Sequence, residues 1–467
     1  MSEKAAIKTD KKRGMILKGN LYKVIITLSL PIMLSNLIQT FYNLADSYFV
    51  SRMGEIELNA VGVVWPFVFA MIGLGRGLSL GSIALISNHV GAQDEEEARK
   101  ASAQSLSYLF IVGVIMGVLG YLVSPVILKW MHITGQTYEY SLQYLNIIFI
   151  GAPFMYLFFA FQSIQQAQGN MILPMILSGV SVIINIGLDP IFIFTLDLGV
   201  EGAAYATILA RILLGIVSIL FYFLSKKTKY KPKLSQLIPD MRIIKEISKT
   251  GVPASFGQVT SAVGFMAINS LVYSYGDNVL TAFLIGNRIV SLVMMPCMGI
   301  GNALSTIVGQ NLGAGNISRT REALKKSFIS SMMFALVGIV FLLILREPFI
   351  RAFTDDLNVI NYANAYGLII TLAMPLMTIF NVWTGLFIGA NRGTFSMIIM
   401  MTRLWIYRIP TILILKYVFH VNEYAIWIPL VISNVLACIT GWVLYKRGNI
   451  FGGFANNDFK NVSIEET

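Results

Sequence analysis

Twelve apolar runs, each long enough to cross a bilayer, constrain this 467-residue chain more than any other feature. They lie near residues 24–50, 59–84, 103–127, 139–162, 171–196, 202–225, 249–275, 279–309, 326–345, 362–388, 394–418 and 424–445. Only 13% of the residues are charged, whereas a soluble domain carries roughly a quarter. The sequence therefore predicts an all-α, polytopic membrane protein with twelve transmembrane helices.

The basic residues of the connections are concentrated on one side of this predicted topology. They fall within 4–23, 99–100, 226–249, 319–326 and 446–447. The opposite connections carry few basic residues, except for Arg346 and Arg351. Because Lys and Arg favour the cytoplasmic side, we expect a multi-pass protein of a prokaryotic cell membrane with both termini in the cytoplasm. This orientation also accounts for the net charge of +11, so no nucleic-acid partner is expected.

The longest hydrophilic stretch, residues 226–248, separates two sets of six predicted spans. The predicted organisation is an N-terminal tail (1–23), a first six-helix bundle (24–225), this basic linker (226–248), a second six-helix bundle (249–446) and a C-terminal tail (447–467). The linker is interpreted as a topology signal and tether, and binding of its basic side chains to anionic lipid is the alternative.

The second half of the chain repeats the first at a constant offset of 222 positions. This offset aligns Pro31 with Pro253 and Gly91 with Gly313. Since each half has an even number of spans, the predicted pseudo-twofold axis runs along the membrane normal. Two parallel bundles related in this way are typical of transporters that work by alternating access.

Motifs for ATP hydrolysis or metal catalysis are absent from the sequence. There is no Walker A motif and no HExxH motif, and Cys297 and Cys438 lack metal-ligand spacing. We therefore expect no enzyme activity and no cofactor, with transport driven by an ion gradient.

Two carboxylates, Asp46 in span 1 and Asp189 in span 5, lie deep in the predicted membrane. Such charges are costly in lipid and usually serve a function. Asn43 and Asn185 lie on the same helix faces as these acids, and Thr207 in span 6 adds a hydroxyl. These oxygen atoms could bind Na⁺, or the carboxylates could take protons.

An architectural role for these acids is the alternative. Asp189 with Pro190 could end a helix, and Asp46 could pair with Arg76 or Arg211. The repeat argues against it, because Ile268 and Ile409 occupy the equivalent positions in the second half. There the polar groups within the spans include two arginines, Arg403 and Arg408, which either face the interior or extend to a membrane surface.

Pro31 lies about four turns before Asp46 and is predicted to be a hinge, since proline removes a helical hydrogen bond. Cation loading at Asp46 would then change how span 1 bends. Aromatic, Met and amide side chains are predicted to line a substrate cleft that accepts flat lipophilic cations. The candidates are Met155, Phe158, Gln258, Asn287 and Trp383.

Several segments together resemble the multidrug and toxic compound extrusion (MATE) family over nearly the whole chain. They are SLPIMLSNLIQTFYNLADSYFVSRMG in span 1, NIGLDPIFIF in span 5, GVEGAAYAT at the start of span 6, and the paired corners VGAQDEEEARKA and LGAGNISRTREA. The resemblance implies two six-helix bundles around a cleft and antiport of H⁺ or Na⁺ against organic cations. The DinF-like branch is matched at Asp46, Asn185, Asp189 and Thr207.

The expected partners are small organic cations or drugs together with membrane lipid, and the expected functional unit is a monomer. A flippase for lipid-linked oligosaccharides is the alternative, although such proteins often have fourteen spans. A receptor or scaffold fits the number of helices but not the internal repeat or the one-sided acid pair.

Overall fold

The computed structural model describes residues 3–224 and 230–452, and regular structure within these ranges is helical. The predicted tails and linker lie partly outside the described residues, at 1–2, 226–229 and 453–467. Within the predicted N-terminal tail, Glu3–Lys18 forms a helix, α1. Within the predicted linker, Leu234–Leu237 forms a short 3₁₀ turn.

The N-terminal bundle is built from seven helices. They are α2 (Leu21–Ser51), α3 (Glu55–Gly91), α4 (Glu95–Trp130), α5 (Gly135–Ile150), α6 (Ala152–Ala167), α7 (Ile172–Pro190), which continues as a π-helix over Ile191–Thr195, and α8 (Gly199–Leu224). The fourth predicted span is therefore two helices, which meet at an angle of 45°. Pro153 causes the break, because its ring and missing N–H prevent an unbroken helix past Gly151.

The C-terminal bundle repeats this order. Its helices are α9 (Met241–Tyr273), α10 (Asp277–Gly313), α11 (Ile317–Arg351), α12 (Leu357–Gly389), α13 (Gly393–Met401), a π-helix over Thr402–Arg408, α14 (Ile409–Tyr417) and α15 (Tyr424–Arg447). The π-helix joins α13 and α14 into one span, Gly393–Tyr417. The fifth and eleventh spans, which correspond in the repeat, thus both contain a π-helical segment beside a proline.

Ten of the described spans are long and apolar enough to cross a membrane, and the bent pair α5–α6 adds an eleventh. The 33-residue α9, which corresponds to the seventh predicted span, is not among them. It is rich in Gly and Ser because it packs closely against α3, its main neighbour, along the boundary between the bundles. On the outer surface, apolar side chains such as Leu122 and Val126 on α4 and Ile344 on α11 are exposed, as expected for contact with lipid.

Small residues hold α3 and α9 together at this boundary. Gly73, Gly77 and Gly81 recur every four residues along one face of α3. A Cβ atom at Gly77 would collide with the backbone of Ser255 on α9. The Ser255 hydroxyl donates a hydrogen bond to the carbonyl oxygen of Leu74 at 2.8 Å. Glycine is needed here because the two backbones are almost in contact.

Side-chain amides extend the closure between the bundles. Gln166 at the end of α6 donates to the carbonyl oxygen of Asn302 at 3.0 Å, and Gln310 donates to that of Ala167 at 2.7 Å. These contacts lie in the half of the molecule that contains α1 and the end of α15. At the opposite end, no hydrogen bond between described residues joins the bundles. A further bond, from Asn36 on α2 to the carbonyl oxygen of Met295 on α10 at 3.0 Å, joins the bundles midway along these helices. The end that carries the termini is therefore the closed end of the boundary between the bundles.

Helix α1 bridges the closed end. Arg13 donates to the carbonyl oxygen of Gly91 at the end of α3 at 2.8 Å. From the other bundle, Arg319 on α11 donates to the carbonyl oxygen of Ile16 at 3.1 Å and also to that of Gly19. The Ile16 side chain is fully buried. The N-terminal helix thus contacts both bundles at once.

The glycine contact yields a first prediction. Gly77→Ala should destabilise this closed form by about 1–3 kcal/mol, because its methyl group has no space beside Ser255. The thermal unfolding midpoint of the detergent-solubilised protein should fall accordingly. Gly62→Ala, on the same helix but with open space around the added methyl, is the matched control and should not lower the midpoint. Equal midpoints for the two variants would contradict the close packing.

Candidate cation site

Three helices bring four predicted site residues into the interior of the N-terminal bundle. Asp46 comes from near the end of α2, Asn185 and Asp189 from the last turns of α7, and Thr207 from α8. Helix α7 packs against both α2 and α8. All four side chains are buried, with Asp189 fully inaccessible. The oxygen-rich cluster predicted from the sequence is therefore assembled inside one bundle.

The hydrogen bonding of the α7 pair is incomplete. Asn185 donates from Nδ2 to Oδ1 of Asp189 at 3.3 Å, as their spacing on one helix face predicts. The other oxygen of each side chain, Asn185 Oδ1 and Asp189 Oδ2, is buried without a hydrogen-bond partner. Buried polar atoms are nearly always paired. Two neighbouring oxygen atoms without donors thus fit a bound proton or cation.

Tyr42 completes the cluster and was not predicted. It precedes Asp46 by one helical turn on α2, and its buried hydroxyl lies 3.2 Å from the Thr207 hydroxyl. This contact links α2 to α8, which otherwise touch little. The sequence feature that could have identified Tyr42 was its four-residue spacing from Asp46.

Arg211 stands one turn beyond Thr207 on α8 and attracts Asp46 electrostatically. Its Nη1 atom donates to the Met155 sulfur at 3.3 Å. Between described residues, neither Arg211 nor Arg76 forms a salt bridge with Asp46. The other architectural role considered for the acids was that Asp189 with Pro190 ends a helix. The structure agrees with this in part, because the regular α-helix of α7 does end at Pro190.

Asn43 and Pro31 both lie on α2. Asn43 is half-buried in the turn before Asp46 and accepts a hydrogen bond from Gln39 at 3.4 Å. Pro31 is buried inside the helix, which continues through it. The role of Pro31 as a hinge stays a prediction.

The predicted cleft residues are distributed over three environments. Gln258 is half-buried on α9 beside Gly73, between the bundles. Asn287 lies within the C-terminal bundle and accepts a hydrogen bond from Tyr366 at 2.8 Å. The remaining three, Met155, Phe158 and Trp383, are buried in the cores of their own bundles. Packing against neighbouring side chains covers them; Trp383, for example, stacks on Phe387. Their role in substrate binding stays a prediction.

The MatE family model matches residues 31–191 and again 253–414, in the same register as the internal repeat. Together these segments cover more than half of the chain. The chain belongs to the MatE family.

Relatives in this family are named as multidrug transporters. The multidrug export protein MepA of Staphylococcus haemolyticus is 25% identical over 433 residues, covering 92% of this chain and 95% of MepA. The probable multidrug resistance protein NorM of Thermotoga maritima is 26% identical over 434 residues, covering 91% of this chain and 92% of NorM. These relatives are transporters rather than enzymes.

A solved structure of a MATE transporter, described as an outward-facing conformation, has 26% sequence identity and a TM-score of 0.89. The alignment covers 95% of this MatE protein and 98% of the solved chain. The predicted all-α, two-bundle membrane fold is thereby confirmed. The comparisons do not distinguish the DinF-like branch from the others.

The contact between Tyr42 and Thr207 yields a second prediction. Thr207→Val should destabilise the protein by about 1–3 kcal/mol, because the buried Tyr42 hydroxyl would lose its partner. Thr207→Ser keeps the hydroxyl and is the matched control. Thermal unfolding of the purified variants measures the difference, and a valine variant as stable as the serine variant would contradict the contact.

Proposed function

We propose that this MatE protein exports organic cations by antiport against H⁺ or Na⁺, with Asp46 and Asp189 as the coupling site. The observation that supports this proposal is the pair of unpaired buried oxygen atoms on Asn185 and Asp189. The multidrug relatives support export of small organic compounds, and they do not favour the flippase alternative.

The coupling rests on the cost of burying charge. Two ionised carboxylates inside one bundle repel each other and lose their hydration, so a bound proton or Na⁺ lowers the energy of the site. Carboxylate, amide and hydroxyl oxygens of Asp46, Asn185, Asp189 and Thr207 suit Na⁺ as well as a proton. A cationic drug in the cleft would repel the loaded site and favour release of the ion.

Alternating access would use the closure between α3 and α9. We place the closed end at the cytoplasm, because both termini and the basic connections lie there. The structure would then correspond to an outward-open state of a cell-membrane exporter, in which the site loads its ion from outside. Loading would alter the bend of α2 at Pro31, loosen the contacts at the closed end and let the cleft open inwards.

Efflux assays test the coupling site directly. Asp46→Asn and Asp189→Asn should each abolish ethidium efflux from proteoliposomes under an imposed H⁺ or Na⁺ gradient, because an amide cannot take up a proton and carries no charge. Asp197→Asn is the matched control, since Asp197 lies in the α7–α8 connection at a positive φ that asparagine also adopts. This control should transport at the wild-type rate.

Imposing each gradient separately identifies the coupling ion. A proton gradient alone should drive efflux if protons are exchanged, and a Na⁺ gradient alone if Na⁺ is. Wild-type efflux rates in both aspartate variants, each correctly folded, would refute the coupling site.

The hinge yields a further prediction. Pro31→Ala restores a backbone N–H and removes the ring clash, so α2 should resist bending. Efflux should fall about tenfold or more, because about 3 kcal/mol separates proline from alanine inside a helix. Drug binding at equilibrium should be preserved. Full efflux in this variant would contradict the hinge.

A further inference from the structure

Two arginines lie in the middle of the eleventh span. Arg403 and Arg408 belong to the 25-residue span Gly393–Tyr417 and bound most of its π-helical segment. Their side chains are 9% and 2% exposed. Neither arginine therefore extends to a membrane surface, which was one of the two interpretations that the sequence left open. A buried arginine at this depth is costly unless something compensates its charge.

The π-helix determines how the two side chains are placed. In an α-helix, residues five positions apart point about 140° away from each other. In a π-helix the backbone hydrogen bond joins residues five positions apart, so such residues lie one above the other. Arg403 and Arg408 thus project from the same side of the span, and their charges repel each other.

The hydrogen bonding of the two guanidinium groups is incomplete. Arg408 donates from Nε to the Ser433 hydroxyl oxygen at 2.9 Å, while that hydroxyl donates to the carbonyl oxygen of Leu430. Arg408 Nη2 and Arg403 Nε are both buried without a hydrogen-bond partner. Each is a buried charged donor with no acceptor within hydrogen-bond distance.

No negative charge compensates this pair. Between described residues, no carboxylate lies within 4.0 Å of either guanidinium group, and the acids of the C-terminal bundle are near helix ends or in loops. Arg403 does lie over the ring of Phe380, 3.9 Å from its centroid. Such a contact contributes about 2 kcal/mol when desolvated, which offsets only part of the cost of one charge. A second charge remains without any counterpart.

We propose that the C-terminal bundle binds a small monovalent anion of chloride size between Arg403 and Arg408. An anion there would accept from the free Nη2 of Arg408 and the free Nε of Arg403 and would neutralise one charge. The near-complete burial of both side chains favours an ion over the carboxylate of a larger molecule. This inference is independent of the proposed antiport, since the site lies in the bundle that lacks the acid pair.

Thermal unfolding of the purified full-length protein in detergent tests the site. Sodium chloride is exchanged for sodium gluconate at constant total sodium, so that any Na⁺ site in the N-terminal bundle stays equally occupied. The unfolding midpoint of the wild type should rise with chloride concentration and saturate. Bromide should reproduce the rise, because it has the same charge and a similar size.

Three variants locate the effect. Arg403→Gln and Arg408→Gln should raise the half-saturating chloride concentration by about tenfold or more, since each removes a charged donor. Arg288→Gln is the matched control, because this arginine is exposed on α10 of the same bundle. Its chloride dependence should match that of the wild type. If an arginine variant fails to fold, Ser433→Ala takes its place and should weaken the chloride dependence by releasing Arg408 Nε.

Three results would overturn the proposal. One is a midpoint that responds equally to chloride and gluconate, which would indicate only an effect of ionic strength. Another is an unchanged chloride dependence in folded Arg403→Gln, Arg408→Gln or Ser433→Ala protein. The third is a response to sodium benzoate without any response to chloride, which would assign the arginines to an organic carboxylate. None of these results bears on efflux coupled to Asp46 and Asp189.

Discussion

The cost of keeping Asp46 and Asp189 inside a membrane bundle is the constraint on which the account depends. A carboxylate removed from water must gain a partner, and the arginine nearest to Asp46 does not form a salt bridge with it. Asn185 donates a hydrogen bond to Asp189 without neutralising its charge, and the nearby hydroxyls of Tyr42 and Thr207 contact each other. A site of this kind has a different net charge with and without its ion, which is the property that an antiporter requires.

An antiporter also requires a closure that can open again. The boundary between the two bundles supplies this closure. Glycines on α3 bring its backbone against α9, and the amides of Gln166 and Gln310 add a few direct hydrogen bonds. Contacts between small residues bury little surface per residue, so separating them costs less than opening an interlocked core. The N-terminal helix α1 strengthens this closed end by contacting both bundles. The ion site, in contrast, lies wholly within one bundle and can move with it as a unit.

The two bundles share a topology but differ in their buried charge. In span 5 the segment beside the proline carries Asp189, and in span 11 the corresponding segment carries Arg408. Asp189 lies in α7 just before the π-helical segment of span 5, and Arg408 is the last residue of the π-helical segment of span 11. The repeat therefore preserves the backbone irregularity while the chemistry has diverged. An acidic interior in one half and a basic interior in the other suggest that the halves bind ions of opposite sign.

Much of the fold could be predicted because hydrophobic length and the basic connections constrain it strongly. The cluster Asp46, Asn185, Asp189 and Thr207 could also be predicted from the sequence, since buried acids are rare in spans. The bend at Gly151 was missed because composition is continuous across it, although Pro153 offered a signal. Tyr42 was missed because its contact with Thr207 depends on how α2 packs near α8. The burial of Met155, Phe158 and Trp383 was equally out of reach, since an aromatic residue in an apolar span can face a cleft, lipid or the core.

The central claim is that drug and coupling ion exchange through the acid pair, and an equilibrium measurement tests it most directly. Tetraphenylphosphonium is added to purified protein in weakly buffered detergent solution containing trace radioactive Na⁺, and released protons and displaced Na⁺ are counted. Wild-type protein should release one of these ions on binding the drug, whereas a variant with both Asp46→Asn and Asp189→Asn should bind the drug without releasing either. Equal ion release from the wild type and the double variant would contradict the account.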